Sequence, residues 1–97
     1  MIVKIHTTSD NRLILTICDD ELIGKRYEER EKQLDLTSDF YQGNKMAEEE
    51  IIKLIEKAYI INAVGKDSVG CCVKAGVINK KTVGKIKGIP YAYMVRF

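Results

Sequence analysis

A mixed β-sheet carrying two main helices, an α+β single domain of roughly ββ(βα)βαβ order, is the fold class this sequence predicts. Three patterns point to it. Short β-rich runs at residues 3–7, 12–18 and 59–64 are bounded by turn residues. Residues 44–59 carry apolar side chains at helical spacing, and residues 89–97 alternate with a period of two.

Residues 3–7 form the first expected strand and residues 12–18 the second. Ser9, Asp10 and Asn11 supply turn chemistry between them, so the two make a hairpin. Along the second strand Leu13, Leu15 and Ile17 face one way, and Ile14 and Cys18 the other. Apolar groups on both faces mark a central, covered strand. Asp19-Asp20-Glu21-Leu22-Ile23-Gly24 reads as one helical turn, its acids suiting the electropositive start and Gly24 its left-handed stop. Residues 25–36 mix charges with a Gln33-Leu34-Asp35-Leu36 alternation and read as a polar strand or ribbon.

Asn44 is the expected cap of the longest helix, which runs to Tyr59. Glu48, Glu49 and Glu50 favour its dipole, and Ala47, Ile51, Leu54, Ile55 and Ala58 make its apolar stripe. Residues 59–64 follow as a strand ended by Gly65. Asp67 or Ser68 is expected to cap a second, shorter helix that stops near Gly76, with Val69, Cys72 and Val73 inward. In the last run Ile89, Tyr91, Tyr93, Val95 and Phe97 share one face. Pro90, lacking an N–H, belongs at that strand's start or on an edge.

The 97 residues suffice for one core. No segment approaches the ~18 continuous apolar residues of a membrane span, and the first residues lack the pattern of a secretory signal. The expectation is therefore a cytoplasmic protein with no membrane partner. Three cysteines, two of them the adjacent Cys71 and Cys72, make no disulfide framework and read as reduced, buried thiols.

Charge is unevenly distributed. Residues 1–65 hold 9 Lys/Arg against 13 Asp/Glu, whereas residues 66–97 hold 7 against 1. The basic third concentrates in Asn79-Lys80-Lys81-Thr82-Val83-Gly84-Lys85-Ile86-Lys87-Gly88, and no acid follows Asp67. Lysines so placed suit nucleic-acid phosphates, with Tyr91 or Tyr93 available for base stacking. The competing reading is a solvated lysine loop with both tyrosines in the core.

Catalytic signatures are weak. His6 stands on a strand with no acid or cysteine at a recognised spacing. Cys18 precedes Asp19, Asp20 and Glu21, but a strand-buried thiol whose nearest cation is Lys25 is a poor nucleophile. The cysteines contain no Cys-x-x-Cys pair, and Cys71 and Cys72 on a helix diverge by about 100°, so no metal site is expected. The Gly-Lys pairs at 24–25, 65–66 and 84–85 lack the rest of a phosphate-binding loop, and no cofactor is implied.

Four stretches taken together resemble the archaeal domain of unknown function 424 family: Cys18-Asp19-Asp20-Glu21-Leu22-Ile23-Gly24-Lys25, Phe40-Tyr41-Gln42-Gly43, Asn62-Ala63-Val64-Gly65 and Gly88-Ile89-Pro90-Tyr91-Ala92. The resemblance implies a small archaeal cytosolic protein and transfers no activity. Where the family often reads Gly-Val-Pro-His-Ala-Gln, this chain has Tyr91 and Tyr93, so no shared histidine chemistry carries over. If the strands ending at residues 18 and 64 run parallel and the last strand opposes both, the four stretches meet at one end of the sheet. Ligands commonly bind at such an end.

The leading expectation is a non-catalytic module binding RNA or a ribonucleoprotein through Lys80, Lys81, Lys85, Lys87 and Arg96. The alternative is a small enzyme or ligand-binding protein with a pocket around Asp19, Asp20, Tyr41, Asn62 and Tyr91. A third is a structural subunit with a protein partner.

Overall fold

Alternation and turn chemistry place the first hairpin where the sequence predicts it. In the computed structural model, which describes residues 1–96, β1 (Ile2–Thr7) turns through a left-handed Asn11 into β2 (Leu13–Cys18). A 3-10 turn at Asp20–Leu22 leads to β3 (Arg26–Glu29) and β4 (Lys32–Asp35), the expected polar ribbon. A second 3-10 turn (Asp39–Tyr41), β5 (Asn44–Lys45), α1 (Glu48–Lys57), β6 (Ile60–Val64) and α2 (Lys66–Lys74) follow. The chain ends with a 3-10 turn (Lys80–Thr82), β7 (Gly84–Ile86) and β8 (Ile89–Val95). Phe97, the last member of the alternating run, lies outside the described residues.

Six strands make one mixed sheet in the order β5-β1-β2-β6-β8-β7, with β3 and β4 as a separate pair. β2 runs parallel to β6, and β8 opposes β6. The covered strand inferred from two apolar faces is thus central. On one side of the sheet Val3, Leu15, Ile17, Ile61, Ala63 and Ala92 are buried under Ile51 and Ile55 of α1, Ala58 just after it, and Val69, Cys71 and Cys72 of α2. On the other, the ribbon's Leu34 and the following Leu36 join Leu22 over Cys18, Val64 and Ile86. Sheet faces of this kind are stabilised mainly by removing apolar area from water.

Three local expectations are corrected. Helix α1 starts at Glu48, not at Asn44, and Ala47 occupies its cap position in extended conformation. The cause is Gly43, which lies against the Val3 carbonyl so closely that a Cβ would overlap it. Asn44 and Lys45 therefore follow the β1 edge as a strand, pairing with Val3 and Ile2. Neither Asp67 nor Ser68 caps α2 with its side chain. Gly65 takes the cap position at φ 104°, and the carboxylate comes from Asp19, 48 residues away from Asp67. The lysine segment is a 3-10 turn and a strand, not one loop. β7 pairs with β8 through left-handed Lys87 and Gly88.

Candidate functional site

Helix α2 and strand β7 lie against the same end of β8 and leave a groove of about 410 Å³ between them. Its floor is apolar, formed by Val69 and Val73 on successive turns of α2, Val83 ahead of β7, and Pro90. Lys66 at the start of α2, Lys80 on the 3-10 turn and Lys85 in the middle of β7 supply its charge. All three are exposed, no acid lines the groove, and none of them forms an ion pair among the described residues. Gly70 lies on the groove's wall with open space where a Cβ would stand, so a ligand can approach the helix backbone there.

Local chemistry holds these lysines in place. Asn79 accepts the Lys81 N–H at 2.9 Å through its side-chain oxygen, and its carbonyl accepts the Thr82 hydroxyl at 2.8 Å, which fixes the turn bearing Lys80. Lys85 is set by its register opposite Pro90, on the helix side of the sheet.

The structure divides the basic residues expected to act together. Lys80 and Lys85 share the groove, and Lys81 is exposed beside it. Lys87 sits in the β7–β8 turn, its N–H directed at Glu29 Oε1 at 3.3 Å. Arg96 lies past the opposite end of β8. Its guanidinium donates to the carbonyls of Glu56 (2.6 Å) and Ile55 (3.4 Å), closing the C-terminal turn of α1. Lys66 completes the groove and was not singled out from the sequence. Its only signal was the Gly65-Lys66 pair, set aside for want of a phosphate-loop context.

The family-like stretches largely meet at one end of the sheet, as parallel pairing required. Asp19 N–H bonds the Val64 carbonyl at 3.0 Å, and Gly65 N–H bonds the Pro90 carbonyl at 2.8 Å. Tyr41 joins Cys18, Val64 and Tyr91 in the second core, while Phe40 stacks flat on His6 with ring centres 4.9 Å apart. The junction is packed rather than hollow. Asp19 is buried, and its carboxylate accepts the N–H groups of Asp67 (3.1 Å) and Ser68 (2.8 Å) and the Ser68 hydroxyl (2.7 Å). Asp20 pairs outward with the Met1 ammonium (2.8 Å) and Lys45 (2.9 Å), bonds that hold its carboxyl below the usual aspartate range.

Burial pushes the Tyr41 phenol above its ordinary value. Tyr91 lies over Gly84, where a Cβ would meet its ring at 2.6 Å. Asn62 is half-buried on the ribbon side of the sheet, between buried Thr16 and Tyr93, the latter 61% exposed. None of these five residues of the alternative pocket lines the five principal grooves. Burial first, and the neighbouring acids second, push the Cys18 thiol up to about 12.

No helix among the described residues is long and apolar enough to cross a membrane. Among curated proteins no sequence matches this chain. The fold is similar to the crystal structure of an uncharacterized conserved protein from Methanopyrus kandleri. The two share 25% identity and a TM-score of 0.78, with 97% of this chain and 90% of that one covered. The family model described as protein of unknown function (DUF424) matches residues 6–97, nearly the whole chain, and the protein belongs to that family.

Proposed function

We propose that this protein is a non-catalytic module of the archaeal cytoplasm that binds RNA, free or in a ribonucleoprotein, through the groove between α2 and β7. The observation that carries the reading is the convergence of Lys66, Lys80 and Lys85, from three separate elements, on one acid-free groove. Lysines are point charges suited to phosphate oxygens, and neutralising phosphates releases counterions, so binding of this kind is strongly salt-dependent. Base stacking is not part of the reading. Tyr91 belongs to the second core, and Tyr93 projects from the face of the sheet opposite the groove. Contacts to phosphate without contacts to bases position a nucleic acid and do not read its sequence.

The test is fluorescence anisotropy with a generic structured RNA at 50 and 200 mM salt. Three neutralised phosphates correspond to an affinity loss of roughly 20–40-fold over that range. Changing Lys66, Lys80 and Lys85 to glutamine should weaken binding and flatten the salt slope, while Tyr93→Ala should leave both unchanged. Absence of binding at 50 mM salt would overturn the reading.

A further inference from the structure

The edge of β1 is half covered. β5 pairs only with Ile2 and Val3, leaving Lys4–Thr7 as the rim of the six-stranded sheet. The Val3 carbonyl points toward β5, as its closeness to Gly43 shows. In an antiparallel strand alternate residues direct both backbone groups to the same side. Ile5 and Thr7 therefore aim their N–H and C=O groups outward, where nothing among the described residues receives them. Apolar surface gathers at this same rim. Of three large hydrophobic side chains exposed among the described residues, Ile5 (41%) lies on one face of the edge, and Phe40 (37%), stacked on His6, lies on the other. Exposed strand edges recruit further strands unless something blunts them.

We infer that this edge is an isologous interface with a second copy of the same chain, β1 pairing antiparallel with its twofold mate to join the two sheets. The register follows from what is already occupied. A twofold axis at Ile5 would drive the partner's Thr7 onto Val3, which β5 holds. An axis at His6 sets Ile5 against Thr7 of the mate and uses all four free donors and all four acceptors in bonded pairs. Charge supports a second copy as the occupant. Ile5 shares a concavity of about 330 Å³ with Met46, Glu50, Lys53 and Leu54 of the α1 region. The twofold reverses the direction of α1, which sets Glu50 of each copy toward Lys53 of the other, while Thr7 of the mate lies beside Ile5. An isologous patch must be complementary to itself in this way.

Sedimentation equilibrium of the full chain tests the inference, with circular dichroism confirming that each variant is folded. The wild type should be a dimer at micromolar concentration. Ile5→Lys, at an exposed position, should shift it to monomer, and Glu50→Lys should raise the dissociation constant at least tenfold. Glu50→Lys combined with Lys53→Glu should restore dimerisation, which loss of folding cannot explain. His6→Cys should cross-link the two copies under mild oxidation, because facing residues at the axis lie within disulfide reach. A wild type that stays monomeric at about 0.5 mM would overturn the inference. So would a dimer unaffected by Ile5→Lys.

Discussion

Side chain by side chain, the reactive-looking residues of this chain are buried or bonded into structure. Cys18 sits among acids in the sequence, but in the fold it is 1% exposed, packed between the sheet and the ribbon. Cys72 is fully buried on the sheet-facing side of α2. Burial pushes both thiols up to about 12, and burial likewise raises Cys71. Only the thiolate reacts at an appreciable rate. A disulfide-exchange reagent at pH 8 should therefore modify none of the three in the native protein and all three in 6 M guanidinium. Fast modification of one thiol in the native state would show that its burial is transient. Asp19 shows the same inversion. Part of the best candidate pocket by sequence, it is spent entirely on structure.

That spent carboxylate decides the behaviour of an element. Helix α2 has no capping side chain of its own, and Gly65 is required at its start twice over. Its φ is left-handed, and a Cβ would overlap the Asp19 carboxylate. The cap therefore ties α2 to the end of β2. Asp19→Ala leaves the N–H groups of Asp67 and Ser68 and the Ser68 hydroxyl without their acceptor. The expected cost is about 2–3 kcal/mol, typical of a buried charged hydrogen-bonding group, and a large share of the stability of a small domain. Urea denaturation should show the loss at unchanged slope. A loss under 0.5 kcal/mol would mean that water or Asp67 takes over the cap. The groove lysine Lys66 stands at the start of the helix that this tie holds, so the same variant should also weaken RNA binding.

At the scale of the molecule, charge sets the pH limits. Asp10, Asp20 and Asp35 are all held below the ordinary aspartate value. The causes are, in turn, the Thr8 hydroxyl, the N-terminal ammonium ahead of Lys45, and Thr37. A depressed carboxylate stabilises the fold above the unfolded value near 4 and ceases to do so as pH falls through the folded value. The midpoint of thermal unfolding should thus hold down to about pH 5 and fall below pH 4, with Asp20→Asn shallowing the fall. In the other direction the raised thiols stabilise the native state below pH 9. That contribution is lost as pH rises toward 12, because the unfolded thiols ionise first. A midpoint flat between pH 9 and 11 would contradict the burial of Cys18 and Cys72. The lysine groove and the open β1 rim stand toward opposite edges of the sheet. Pairing through β1 would therefore leave two grooves free, one at each end of a joined sheet.

Much of the fold was legible because period and punctuation are local. The two-sided apolar pattern of β2, the turn at Ser9-Asp10-Asn11, the stripe of α1 and the alternation after Pro90 each follow from backbone sterics and burial acting within a few residues. The basic third was equally plain, since charge needs no fold to be counted. The rest depended on distant partners. Gly43 draws Asn44 into a strand only because Val3 is there to pair with it, and Asp19 caps α2 only because β2 and β6 run parallel. Arg96 becomes a helix stop only because α1 ends beside it. Tyr91 is a core residue and Tyr93 an exposed one, although they share a face, because the second core covers only part of that face. The sequence by itself determined the elements and the charge available to them. The tertiary structure alone decided which lysines share a groove, because groove and pocket arise from contacts between segments far apart in the chain, to which local propensity is blind.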